Sequence, residues 1–515
     1  MKTLKKPKKE KSKINKNIKT KKKRENENQE YDIIILGGGV AGIYTIYQLI
    51  KNPIFSQKRI LLLEKTGRLG GRVYSTNPYK NHPEDIIEAG AGRFSQKHIL
   101  LNRLIHELNL ENQIEKTSSN AEYFPINREK KNQESESEES VLTTIINKNK
   151  NPIELIQNPN LINPLKNTLL SGKPKITELI LKVIVFSKLE TIEYLRTISF
   201  VEYAKTKGIL TEVEIQQIID SFGFYSELVI MNTYDVIRLM DSLDPESNSF
   251  CILKGGLSQI NERMMEYVIE NYNNPFRINQ NVINIQQFSQ NQYRIKTQNR
   301  NYKTKTYITK IIISALPKQI LERISFFKPV YPWISKIKCS PLCRIYSRYN
   351  DKDQDKTLWY NDKDLWFKSL PKITTNNNLR MVIPINKEKG IIMISYTDNK
   401  FAEYWNNLYK KEGINKVNEE LKQKIQESTG IIIPREQQKT VQTNVYYWKC
   451  GVGYWGIGAN SHEISQNMTN PTILGNNIFC CGEHYSENFQ QWIEGALETS
   501  ERVLSKLSNH TNQHI

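Results

Sequence analysis

Cysteine, histidine and long apolar runs are what this 515-residue chain has least of. Its six cysteines (Cys251, Cys339, Cys343, Cys450, Cys480 and Cys481) are too few and too scattered for a disulfide framework, and they show no metal-ligand spacing. The Cys339-x3-Cys343 pair has no second pair or histidine cluster beside it, so ordinary buried thiols in a reducing, intracellular compartment, cytoplasmic or nuclear, are expected. The seven histidines likewise suggest no metal site. No apolar stretch reaches the roughly 18 residues that a membrane helix needs. The N-terminus lacks the apolar core of a secretory signal, and its basic residues are nearly all Lys where transit peptides favour Arg. A membrane span and secretion are therefore both unexpected. No internal repeat is visible, although Lys, Asn and Ile are frequent throughout.

Acidic residues are scarce in one place only. Residues 1–24 hold 13 Lys/Arg and one Glu, so of totals of 73 and 54 the rest of the chain keeps 60 basic and 53 acidic residues. The overall charge of +19 is thus mostly a property of the tail. With almost no apolar residues the tail, 1–30, is expected to be disordered: a solvated arm, an import signal, or a contact for nucleic acid or another anionic surface. The body has an ordinary charge balance, and its length implies two or three domains.

The densest information lies in residues 31–72. The apolar run Ile33–Leu36 reads as a buried parallel strand, and Gly37, Gly39 and Gly42 follow at GxGxxG spacing into a helical pattern, Ile43–Ile50. Those glycines would turn tightly, admit a pyrophosphate to backbone N–H groups at a helix N-terminus, and bring helix and strand together. A second strand, Arg59–Leu63, ends at Glu64, 22 residues past Gly42, where a carboxylate takes a ribose hydroxyl pair and disfavours a 2′-phosphate. Gly67-Arg68-Leu69-Gly70-Gly71-Arg72 follows. It adds Arg68 and Arg72, the latter able to bridge pyrophosphate charge bidentately.

With that second clamp the stretch resembles the FAD-binding opening of the flavin-containing amine oxidase superfamily. A C-terminal segment resembles the closing half of the same site: Asn477–Glu483 as a strand delivering Gly482-Glu483, then the helix from Gln491-Trp492-Ile493-Glu494. The resemblance covers roughly residues 31–125 and 250–509. It implies an α/β fold with a Rossmann-like FAD-binding domain from interleaved segments 31–92, 250–330 and 441–509. An α+β substrate domain from 93–126 and 331–440 would complete the core, with a polar loop at 127–151. The helical pattern of 152–249, with capping-box spacings at Ser199/Glu202 and Thr211/Glu214, is expected to roof the substrate cavity. The polar C-terminal SNHTNQHI argues against the tail anchor of membrane-attached monoamine oxidases.

The resemblance also implies chemistry. FAD would accept a hydride at N5 from the carbon bearing a neutral amine, water would hydrolyse the imine, and O2 would reoxidise the flavin to give hydrogen peroxide. Cofactor contacts are expected from Gly37, Gly39, Gly42, Glu64, Arg68, Arg72, Gly90, Val282, Gly482, Glu483 and Trp492. The family's Lys near N5 falls on Arg344 in Arg344-Ile345-Tyr346, and Arg, unlike Lys, cannot accept a proton. Trp455, with Trp448 and Gly453-Tyr454, resembles the amine-binding aromatic cage, and Trp492 joins the catalytic set. Tyr454 stands where monoamine oxidases carry their flavin-linked Cys, so FAD is expected to be non-covalent. Arg93, in Gly90-Ala91-Gly92-Arg93, resembles the carboxylate clamp of L-amino-acid oxidases, although a carboxylate-binding Tyr is absent near Val382-Ile383-Pro384. Two alternatives stay open: a protoporphyrinogen-oxidase- or carotenoid-desaturase-like flavoenzyme, and a silent flavin-fold binding protein tethered by its basic arm.

Overall fold

The computed structural model describes residues 28–79, 82, 84–118, 121–124, 174–242, 249–349, 365–435, 438 and 441–512. Of the tail expected to be disordered, 1–30, residues 1–27 lie outside the described residues while 28–30 are ordered in the first strand; the loop at 127–151 and the start of the expected helical insert also lie outside the described residues.

Strand β1 (Asn28–Leu36) begins before the apolar run that announces it. Ile33, Ile34, Ile35 and Leu36 are all buried, as a central parallel strand requires when both faces are covered. Because side chains alternate, Ile33 and Ile35 enter one core layer and Ile34 and Leu36 the other. Parallel neighbours flank β1 on both sides: β2 (Ile60–Leu63) and β10 (Thr304–Ser314). Beyond β2 lies β7 (Phe276–Arg277), and beyond β10 an antiparallel ribbon, β9 (Gln292–Gln298) and β8 (Asn281–Ser289). A further parallel strand, β16 (Ile478–Cys480), joins β10. This sheet is therefore assembled from three separate stretches of sequence.

Three helices cover one face: α1 (Val40–Lys51), α2 (Ser258–Asn271) and α4 (Ile493–Asn512). The first and last helices meet directly. Ser500 Oγ donates to Ala41 O at 3.3 Å, and the Tyr44 hydroxyl donates to the Glu501 carboxylate.

A second sheet runs β15 (Gln442–Trp455), β11 (Ile337–Arg348), β14 (Ile391–Asp398), β13 (Met381–Asn386), β12 (Ile373–Thr375) and β5 (Glu122–Phe124). All its pairs are antiparallel except the last. Helix α3 (Asn399–Thr429) packs on it but is not continuous. Gly413 adopts φ 79°, which breaks the helix into two arms. A third, smaller sheet is formed by β3 (Phe94–Ser95), β6 (Ser249–Leu253) and β4 (Ile114–Ser118).

Residues 174–242 are helical. Thr211 and Glu214 form the expected reciprocal capping box, whereas Ser199 caps only through its hydroxyl, which accepts from Glu202 N. This helical stretch is pinned to β15: Asn232 donates from its side chain to Trp455 O and Gly456 O, each at 3.1 Å.

One expectation fails outright. Cys339 and Cys450 are joined as a disulfide between β11 and β15, while Cys251, Cys343, Cys480 and Cys481 are buried thiols. The two partners are 111 residues apart, a pairing that no local spacing announces. Among the described residues no helix is long and apolar enough to cross a membrane.

Candidate active site

A cavity of about 970 Å³ is lined by the glycine turn, both large sheets and the 174–242 helices. It lies at the carboxyl ends of β1 and β10, where open α/β sheets place their ligands.

Backbone builds the first end. A Cβ on Gly42 would meet Gly37 O at 2.0 Å, so only glycine lets α1 approach the turn. Gly39 caps α1 with no side-chain hydrogen bond, leaving the first amides of the helix to an anion. Glu64 is held in place: Oε2 accepts from Gly38 N at 2.8 Å and Oε1 from Thr66 N at 2.7 Å. Gly90 is equally constrained, because a Cβ there would lie 1.9 Å from Arg72 O. Val282, Gln280 and Asn281 complete this wall.

Arg68 also lines the cavity. Its guanidinium donates to Leu69 O and Gly71 O and lies 4.1 Å from the centre of the Tyr74 ring. These bonds brace the Gly70-Gly71 turn.

Arg72 joins the two halves of the chain. Its Nη1 donates to Glu483 Oε1 at 2.5 Å and to Gly451 O at 3.0 Å. Glu483 Oε2 also accepts from Gln491 N at 2.9 Å, and His484 Nε2 lies 3.0 Å from Oε1. Burial opposes ionisation of Glu483, but His484 and Arg72 together hold its carboxyl far below the usual range. Gly482 N donates to Thr499 Oγ1 on α4 at 2.8 Å, fixing this strand–helix corner. The Gln491 Nε2 group is buried with no protein partner and lines the cavity. An orphaned donor beside a bare helix N-terminus and a glycine cradle suits a polar, phosphate-bearing cofactor.

Side chains build the second end. Arg93 lies 3.9 Å from the centre of the Phe250 ring, and Phe250 stacks on Trp492 at 5.6 Å and 14°. The His98 ring closes the ladder, 4.8 Å from Trp492. Among the described residues the Arg93 guanidinium makes no ion pair or hydrogen bond, and its accessible surface faces the cavity. Burial lowers its pKa and the like charge of Arg344 adds to this, while Tyr396 and Glu227 oppose it without reversing the direction. Lys372 also lines the cavity, pushed down to about 7 by burial and by Arg93. Glu227 is pushed up to about 8 by burial and by Asp398.

Arg344 is buried rather than exposed. It donates to Glu88 O at 2.9 Å and to the Tyr396 hydroxyl at 3.0 Å, and a Cβ on Gly92 would meet its Nη1 at 2.9 Å. Burial disfavours its charge, but Tyr396, Tyr346 and Glu88 outweigh that and raise its pKa. It therefore underpins the turn that presents Arg93.

Trp455 does not belong to this site. It is buried in the core below the parallel sheet, with Ile337 and Tyr485, while its neighbour Tyr454 lines the cavity. Adjacent strand residues face opposite ways, so assigning the cage one residue off sends the indole into the core. Trp448 lines the cavity instead, its Nε1 donating to Ala89 O at 2.6 Å.

Several cavity residues had no sequence signal. Tyr396 stands opposite Arg344 in the β11–β14 register, one strand beyond the place where a tyrosine was sought. Phe250, Lys372 and Glu227 come from unrelated segments, and Glu88 is tied by its carboxylate to Ser75 Oγ (2.7 Å) and Leu257 N (2.6 Å).

Fold and cavity together define a dinucleotide-binding oxidoreductase. Residues 40–503 match the flavin containing amine oxidoreductase family, and the chain belongs to it. An uncharacterized protein of Acanthamoeba polyphaga mimivirus is 23% identical over 511 residues, covering 93% of this chain and 94% of that protein. Solved structures of putrescine oxidase share the fold. Wild type bound to putrescine gives a TM-score of 0.61 at 13% identity, and a variant from a redesign of cofactor binding gives 0.62 at 14%. Each covers 94% of this chain and 100% of the other. The protein is thus a flavin-dependent oxidoreductase of the amine oxidase type.

Proposed function

We propose that the protein is an FAD-dependent oxidase of amines that carry an anionic group, with L-α-amino acids as the substrate class. The observation that carries this reading is Arg93, a cavity-facing cation on an aromatic ladder that makes no ion pair or hydrogen bond among the described residues, with the nearby Glu227 carboxyl, pushed up to about 8, neutral at pH 7. An enclosed cation without a counter-ion is costly. A substrate carboxylate would relieve that cost and accept two parallel hydrogen bonds. Lys372 adds a second positive charge at the same end. A diamine such as putrescine brings two positive charges of its own and would be repelled there.

FAD, when bound, supplies the oxidation by taking a hydride from the carbon that bears the neutral amine. The chain's residues do the rest. Gly37, Gly39, Gly42 and the N-terminus of α1 would take the pyrophosphate, and Glu64 a ribose. Arg72, Gly482, Glu483 and Gln491 would frame the flavin side. Tyr454 and Trp448 would enclose the amine, and Arg344 would keep Arg93 and the Glu88 carbonyl in place. Cys450 is the cysteine on the cavity wall, and its sulfur is bonded to Cys339. This supports non-covalent FAD, and acid precipitation should release the flavin into the supernatant.

The test compares Arg93→Ala and Lys372→Met with wild type on an amino acid and on its decarboxylated amine. Each variant should raise KM for the amino acid by about 10- to 100-fold, as a lost charged contact of about 1.5–3 kcal/mol implies, and leave the amine nearly unchanged. Equal effects on both substrates would sink the proposal.

A further inference from the structure

The Cys339–Cys450 disulfide has no role in binding or orienting an amine, yet it borders the flavin side of the cavity. Cys450 lines that wall next to Gly451, whose carbonyl accepts from Arg72 Nη1 at 3.0 Å. Both sulfurs and one imidazole nitrogen of His484 lie within 4.8 Å of one another, and His484 Nε2 is 3.7 Å from Cys450 Sγ. The imidazole is oriented by its surroundings. Its Nδ1 accepts from Lys318 N at 3.2 Å, which assigns the ring proton to Nε2, between Glu483 and the sulfur. Nε2 lies 3.0 Å from Glu483 Oε1 and 3.7 Å from Cys450 Sγ, so a proton held beside the carboxylate stands within reach of the sulfur and can be passed to a thiolate formed there.

Holding the strands together does not explain the cross-link. The strands β11 and β15 are already paired from Ile337↔Trp455 to Arg348↔Gln442. The disulfide sits where their register shifts, between Ser340 and Leu342, so the ladder stands without it.

We propose that Cys339–Cys450 is a second two-electron acceptor, reduced by the flavin that amine oxidation has reduced. This rests on the flavin site proposed above. The reduced flavin anion gives up two electrons and one proton and returns to the oxidised form. The S–S bond breaks, and the two sulfurs take that proton and one from solvent, relayed through His484 Nε2, to become two thiols. Electrons therefore divide between O2 and an internal disulfide, and the thiol pair stores a reducing equivalent within the enzyme.

The experiment is an anaerobic reductive titration of the flavin-loaded protein with dithionite and a redox mediator. The flavin spectrum is followed, and Cys339 and Cys450 are alkylated and mapped by mass spectrometry. Complete bleaching should take about four electrons per flavin, with both cysteines appearing as thiols, and the Cys339→Ser/Cys450→Ser protein should need about two. Wild type that bleaches with about two electrons while the pair stays oxidised overturns the redox role and leaves the flavin site standing. A colourless protein that cannot be loaded with FAD overturns both. If the double variant is insoluble, the wild-type thiol count alone decides.

Discussion

The two ends of the cavity are built from different materials. At the nucleotide end the backbone does the recognition, and its side chains are already engaged: Arg72 with Glu483, Glu64 with Gly38 and Thr66, Arg68 with the carbonyls of its own turn. At the amine end side chains do it, and two of them, Arg93 and Lys372, are like charges within electrostatic reach of one another. The first end is complete without a ligand beyond what its bare helix N-terminus and orphaned Gln491 amide call for. At the second end the Arg93 guanidinium, which makes no ion pair or hydrogen bond among the described residues, has a place for an anion. A frame that is satisfied on its own positions the cofactor, and an unsatisfied one selects the substrate.

The sharpest way to break the first half of that comparison is Gly42→Val. The added side chain would overlap Gly37 O, and the strain of forcing such a contact is at least about 1–3 kcal/mol. The expected protein is colourless or insoluble, and full flavin occupancy would contradict the cradle. Arg344→Met probes the joint between the two ends. It should raise KM for an amino acid by about tenfold, roughly 1.4 kcal/mol, because the turn bearing Arg93 loses its brace. It should change anaerobic flavin reduction at saturating substrate less. A collapse of that reduction rate at unchanged KM would instead make Arg344 a catalytic residue.

An effect of similar size is expected on pH dependence, and its sign follows from the charges. Below pH 7 Lys372 is protonated, and Glu227, pushed up to about 8, is neutral. This end then carries the charges of Arg93 and Lys372. Above pH 8 Lys372 has lost its proton and Glu227 is ionised, which cancels Arg93. The dissociation constant of a non-oxidisable carboxylate such as benzoate, read from the flavin spectrum, should rise about tenfold as pH climbs through 7 to 8. A constant that falls over that window would reverse the assignment.

The contrast between the two ends also explains what the sequence revealed. Gly37, Gly39, Gly42, Glu64 and Arg72 lie within one βαβ unit, where steric need fixes spacing, so the turn, its strands and its helix are legible. Gly482-Glu483 is legible for the same reason, as a strand end before a helix. The amine end draws Phe250, Tyr396, Lys372 and Glu227 from four segments that only the tertiary fold brings together, and no spacing rule connects them. Trp455 shows a second limit. On a strand, one residue decides between cavity and core, and that parity is set by pairing with β11. The Cys339–Cys450 bridge is a third case, fixed by a register shift between strands far apart in sequence.

The most direct test of the account is the wild-type ratio of kcat/KM for an amino acid to that for its decarboxylated amine, such as leucine against isoamylamine, measured by peroxide release near pH 7. An anion-seeking amine end predicts that the amino acid is preferred by about 100-fold or more, about 2.7 kcal/mol of discrimination. Preference for the simple amine, or for a diamine such as putrescine, would contradict it.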